Sequence, residues 1–210
     1  MLSEQKPRDL LTFDEMRQIA RSIKDRYIRL CCYLGMYGGF RLADILRIKK
    51  EHIDHDKKTI KFWMAKRRKW IEMPIRDELA RMLFRFKGQE GLLIQIEKKR
   101  PGRLAYSSQI PKVYSRAIKK LKGPSHYRSG PHTFRHSFAH ILEVNEIPWV
   151  AQQYFLGHKI HDMTGRYSHP EKRLKYFHKI LQGVDFRRQE TDETIENGQT
   201  KKFEENEKSS

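Results

Sequence analysis

Apolar residues return every three or four positions through most of the chain, and the breaks between these runs divide it into helices. Met16, Ile19, Ala20 and Ile23 form the first stripe, opened by Thr12-Phe13-Asp14-Glu15, which reads as a capping box. A second helix spans about residues 25–36, is apolar almost all round in its second half, and stops at Gly38-Gly39. A third begins at Phe40-Arg41-Leu42-Ala43-Asp44-Ile45-Leu46, with Leu42, Ile45, Leu46 and Ile48 facing inward. The period then shortens: residues 59–64 and 70–75 read as two strands, with Ala65-Lys66-Arg67-Arg68-Lys69 as the hairpin tip. Helical spacing resumes at Asp77, a predicted cap, and runs to about residue 86, with Leu79, Met82, Leu83 and Phe86 inward. Leu92-Leu93-Ile94 reads as a short strand. Further helices follow over residues 107–121, from Pro131, over 149–155 between Pro148 and Gly157, and over 170–181. The fold class is mainly α with a small antiparallel sheet.

The same pattern sets the domain organisation. Residues 1–11 are a short charged lead-in and residues 12–183 one domain. From residue 184 the character changes to eight acidic and five basic residues with almost no apolar ones, the composition of a disordered, solubilising tail. Over the whole chain, 44 Lys+Arg stand against 26 Asp+Glu, a formal net charge of +18 and a pI near 9.9. A polyanion is the partner such an excess favours. No apolar run reaches the ~18–20 residues of a membrane span, and no signal peptide is visible. Cys31 and Cys32, adjacent in an apolar run, read as small reduced core residues and cannot supply a four-ligand zinc site. A cytoplasmic address follows.

Chemistry concentrates between residues 131 and 169. Pro131-His132-Thr133-Phe134-Arg135-His136-Ser137-Phe138-Ala139-His140 is followed by Leu156-Gly157-His158 and then by Tyr167. His132 and Arg135, three apart, share one face of the helix opened by Pro131, while Phe134, Phe138, Ile141 and Leu142 form the apolar side. His132, His136 and His140 step by four, a metal-ligand spacing. The metal-dependent phosphodiesterase that this suggests lacks a nearby carboxylate, because no acidic residue lies between Leu121 and Glu143. His136 reads instead as support for the helix. Tyr154, Tyr176 and His140 read as ordinary helix residues.

His-Thr-Phe-Arg-His-Ser-Phe-Ala at 132–139, Leu-Gly-His at 156–158 and Thr164-x-x-Tyr167-x-His169 resemble the C-terminal signature of the tyrosine recombinase, or phage integrase, family. Gly39-Phe40-Arg41-Leu42-Ala43-Asp44 resembles that family's first arginine motif, with Asp44 at its acidic position. The resemblance runs from about residue 11 to 169, and the small stand-alone form is similar to archaeal, Xer-like or mobile-element integrases. It implies a catalytic domain that cleaves and rejoins DNA through a covalent 3′-phosphotyrosyl bond, with no metal, ATP or other cofactor. In the family a lysine at a hairpin tip lies eight residues before a proline; Lys66 lies eight before Pro74 and is preferred to Lys69.

The roles follow from the chemistry. Tyr167 is the nucleophile, and its phenol, with an ordinary pKa of ~10, needs activation. Arg41 and Arg135 suit the two non-bridging phosphate oxygens and stabilise the charge of the transition state. Lys66 protonates the departing 5′ oxygen. His132 is the candidate base and His158 a donor to the phosphate, although these two roles are exchangeable at this stage. Asp44 would hold an arginine in place. Arg67, Arg68, Lys69, Lys98, Lys99, Arg100, Arg103 and Arg128 are the expected DNA-backbone contacts. Many members carry a core-binding domain ahead of this catalytic one; only about ten residues precede it here, so a partner protein or a longer chain is expected. The helix at 171–182, with Leu174, Phe177, Ile180 and Leu181, is expected to pack into a neighbouring protomer of a tetramer on duplex DNA. A topoisomerase-like relaxation activity, or a non-catalytic DNA-binding regulator on the same fold, are the alternatives.

Overall fold

The computed structural model describes residues 10–64, 68–95, 106–123, 130–158 and 170–188. Helix α6 (Pro131–Val144) is the centre of the packing. Phe134, Phe138 and Leu142 on it are fully buried, and it lies against α2 (Arg26–Gly38), α5 (Tyr106–Lys122) and α7 (Trp149–Phe155). Helix α1 (Phe13–Ser22) packs across α2 and α5. Its capping box forms as the sequence predicts: Glu15 N donates to Thr12 Oγ1 at 3.2 Å, and Thr12 N to Glu15 Oε2 at 2.9 Å. Asp25 caps α2 through its Oδ1, which accepts from Tyr27 N and Ile28 N.

The third helix is much shorter than predicted. It is one turn, α3 (Leu42–Ile45), with Arg41 as its extended N-cap instead of a first-turn residue. Phe40 is pulled out of helical register because its own ring is a core residue, 4% exposed and edge-on to Phe62 at 5.2 Å. A two-residue strand β1 (Ile53–Asp54) then pairs with β2 (Thr59–Met64), which pairs with β3 (Lys69–Pro74), all antiparallel in the order β1-β2-β3. The sequence pattern missed β1, which is too short to show a period. It also placed the second long strand one residue late: Lys69 pairs with Met64 inside the ladder.

Leu92 forms only an isolated bridge to Lys49, with Leu93 and Ile94 buried behind it. Helix α4 (Asp77–Leu83) continues as a 3-10 turn, Phe84–Phe86. Its N-cap is Arg76, not Asp77; the Asp77 carboxylate is turned to Lys58 Nζ at 2.8 Å.

Helix α8 (Pro170–Gly183) is seated on its own chain. Phe177 and Leu181 are buried at 2% and 1% exposure, with Leu174 and Ile180 half-buried, and the Phe177 ring stacks on Tyr154 at 4.1 Å. Gln182 Nε2 donates to Ile75 O, and Arg76 Nη1 donates to Leu181 O and Val184 O. The two most buried residues of the face assigned to a neighbour are thus satisfied within one chain.

The packed chain also exceeds the predicted boundaries at both ends. Leu11 is buried, and its N–H donates to Ser137 Oγ at 2.8 Å. Beyond α8, Val184 and Phe186 are buried, and Asp185 exchanges two backbone hydrogen bonds with the Asn145 amide. Residues 189–210 lie outside the described residues.

Candidate active site

Two helix ends build the site. Helix α2 stops at Gly39, whose φ of +61° is the left-handed conformation; a Cβ there would meet the Phe138 ring at 2.4 Å. Helix α7 stops at Leu156-Gly157, with Gly157 at φ +58°. Such ends leave backbone carbonyls without helical partners, at the negative pole of the helix. Arg135 reaches from α6 to one carbonyl of each: Nη1 donates to Gly39 O at 2.5 Å and Nη2 to Leu156 O at 2.5 Å. The glycine stops of the sequence thus position an arginine.

A second guanidinium stands beside it. Arg41 Nη1 is buried and has no hydrogen-bond partner among the described residues. It comes within 3.7 Å of where a Cβ on Gly157 would be. Burial, followed by the charge of Arg41, pushes the Arg135 pKa down to about 10, while Asp44 opposes the shift. Asp44 is itself buried at 3% exposure. Two guanidiniums held side by side, with one buried N–H group of Arg41 unused among the described residues, can bind an anion with two oxygens to offer, such as a phosphate.

The histidines surround this pair. His158 Nε2 lies 3.4 Å from Arg135 Nη2, and its Nδ1 lies 3.0 Å from Gln153 Oε1. His132 is on the exposed side of α6; desolvation, then the charges of Arg135 and Arg41, hold its pKa below the ordinary histidine value, so the ring is neutral near pH 7 and able to take a proton. His136 is half-buried, its ring 6.4 Å from that of His132. Among the described residues no three His, Cys, Asp or Glu side chains converge as metal ligands.

The structure therefore brings together Arg41, Asp44, His132, Arg135, His136 and His158. Arg68 and Lys69 are exposed at the hairpin end, Arg68 with φ +51°. Lys66, Arg67, Lys98, Lys99, Arg100, Arg103, Arg128 and Tyr167 lie outside the described residues. Sequence reasoning missed Gln153, since nothing in Gln152-Gln153 tells which amide turns inward. It also missed Met64, whose Cε would be 2.1 Å from a Cβ on Gly157.

Gly157→Ala tests this architecture. Met64 can swing aside, so the left-handed backbone sets the cost, about 1–2 kcal/mol. A Tm fall of roughly 2–8 °C in thermal unfolding is expected; an unchanged Tm would mean that this helix end is not held as described.

Sequence comparison meets this geometry. The profile of the phage integrase family matches residues 9–173. The chain is 31% identical over 170 residues to the tyrosine recombinase XerA of Thermococcus onnurineus (strain NA1), covering 75% of this chain and 57% of that protein. Its fold is similar to the integrase of mycobacterium phage Brujita, with a TM-score of 0.68 at 15% identity over 93% of this chain and 64% of that one. It is also similar to a lambda integrase tetramer bound to a Holliday junction, with a TM-score of 0.53 at 22% identity over 77% of this chain and 50% of the other. The chain spans roughly half to two-thirds the length of these relatives. The chain belongs to the phage integrase family, and it has the mainly helical fold with a small three-stranded sheet seen in its structural relatives.

Proposed function

We propose that the protein is a site-specific DNA recombinase that cleaves and rejoins strands through a 3′-phosphotyrosyl bond on Tyr167. The observation that carries this reading is the pair of guanidiniums of Arg41 and Arg135, one with a buried Nη1 without a partner among the described residues, the other clamped by two helix ends. Planar, permanently charged donors placed in advance stabilise a pentacoordinate phosphate more than the ground state. The Tyr167 oxygen attacks the phosphorus, its proton passes to a neutral histidine, and the 5′ oxygen leaves with a proton from Lys66. The phosphate energy is kept in the tyrosyl ester, so the reverse step needs no ATP and no metal.

The basic surface suits double-stranded DNA, with Arg67, Arg68, Lys69, Lys98, Lys99, Arg100, Arg103 and Arg128 on its backbone. Assembly as a tetramer on DNA is part of the proposal, in keeping with the junction-bound lambda integrase tetramer. Because Phe177 and Leu181 are buried in their own chain, the contact would use the outer side of α8, where Tyr176 is 52% exposed. Its place is with the DNA of a prokaryotic or viral nucleoid, alone or with an accessory protein.

The test is covalent trapping on nicked duplexes and supercoiled plasmid in EDTA, quenched with detergent. A protein–DNA adduct is expected with the wild type and none with Tyr167→Phe. Binding without any adduct would favour a non-catalytic regulator, and relaxation of plasmids of any sequence a topoisomerase.

A further inference from the structure

Resting on that reading of the site, we infer that Gln153 is a positioning residue that sets the ring orientation and tautomer of His158. Arg135 carries only N–H donors. The His158 nitrogen that faces Arg135 Nη2 at 3.4 Å, Nε2, is therefore the acceptor, and in the neutral ring the proton sits on Nδ1. Nδ1 lies 3.0 Å from Gln153 Oε1, an acceptor that matches it. Gln153 holds the same residue a second time, since His158 N donates to Gln153 O at 2.8 Å. The amide is well placed to impose this. Gln153 is 9% exposed on the inner side of α7, between the buried Ala151 and Phe155, whereas His158 is an exposed residue.

The consequence is chemical. A ring whose Nδ1–H is committed to Gln153 presents a lone pair at Nε2 beside the guanidinium. In that state His158 enters the site as a proton acceptor, and it becomes a donor to a phosphate oxygen only after Nε2 takes a proton. The tautomer thus favours His158 as a recipient of the Tyr167 proton, a role that residue spacing left open between His132 and His158.

The first arm of the test needs no DNA. In 15N-labelled free protein, with His158→Asn used to assign the signals, the His158 ring is expected to show a protonated Nδ1 and an unprotonated Nε2. In Gln153→Met only the longer contact to Arg135 remains, so that preference weakens and the second tautomer becomes detectable. A protonated Nε2 in the wild type, or an unchanged ring in Gln153→Met, overturns the inference.

The second arm reads the rate of adduct formation. Gln153→Met is expected to lower it about tenfold. Gln153→Glu still offers Nδ1 an acceptor but favours the charged ring, so its rate profile is expected to shift to higher pH, a shift that Gln153→Met does not show. In a His158→Ala background Gln153→Met has no further effect; an equal fall in that background would mean that Gln153 acts elsewhere and overturns the assignment. If the wild type forms no adduct at all, the recombinase reading fails while the ring signals still decide the role of Gln153.

Discussion

Arg135→Ala is expected to lower the rate of covalent adduct formation by at least about 10²–10³-fold, the scale for removing one preorganised donor from a developing negative charge. The effect on folding should be much smaller, because two terms oppose each other. The substitution leaves Gly39 O and Leu156 O without the guanidinium, at about 1–3 kcal/mol each if they stay buried. It also removes a buried cation that Arg41 repels, the same repulsion that helps bring the Arg135 pKa down to about 10. Arg135→Lys separates charge from geometry. It keeps a cation, but an ammonium cannot span two carbonyls and a phosphate oxygen at once, so a fall of at least about tenfold is still expected. Single-turnover trapping alongside thermal unfolding checks both halves. A rate within a few-fold of wild type in Arg135→Ala would remove the arginine from the chemistry.

Phe186→Ala is expected to destabilise the protein by about 3–5 kcal/mol, the usual cost of emptying a buried aromatic site, and to lower Tm by roughly 10 °C. The Phe186 ring is 6% exposed and sits in an aromatic cluster, 5.2 Å from Phe13, 5.6 Å from Tyr37 and 6.1 Å from Phe138. The Arg76 guanidinium covers it at 4.6 Å. The ring therefore ties the segment after α8 to both the first helix and the active-site helix. Arg187→Ala, an exposed neighbour, should move Tm by less than about 2 °C. Calorimetry of the two variants decides it; equal, small shifts would show that residues 184–188 add nothing to the fold.

Phe186 also marks a limit of sequence reading. It stands among Asp185, Arg187 and Arg188, so composition assigns it to a charged tail, and only the tertiary cluster shows that it is core. Where local signals act alone, they were legible: Thr12 with Glu15, Pro131, and the glycine stops at Gly39 and Gly157 all mark real boundaries. Where tertiary packing competes with local preference, they were not. Phe40 leaves the helical pattern to reach Phe62, and that move makes Arg41 an N-cap. Asp77 gives up the cap for Lys58, nineteen residues away.

The candidate site divides the same way. Spacing on one helix and motif resemblance select Arg41, His132, Arg135 and His158, and the fold brings them together. The partners that hold them are two backbone carbonyls at helix ends remote in sequence from Arg135, and the amide of Gln153, five residues before His158. A backbone carbonyl carries no signature in the residue that bears it.

The most direct test of the account is to map the covalent bond itself. The protein is reacted with a nicked duplex, the adduct is digested with nuclease and protease, and the nucleotide-bearing peptide is sequenced by mass spectrometry. The account predicts a nucleotide joined through its 3′ phosphate to Tyr167, with a free 5′ hydroxyl on the released strand. A nucleotide on any other residue, or a 5′ linkage, would contradict it.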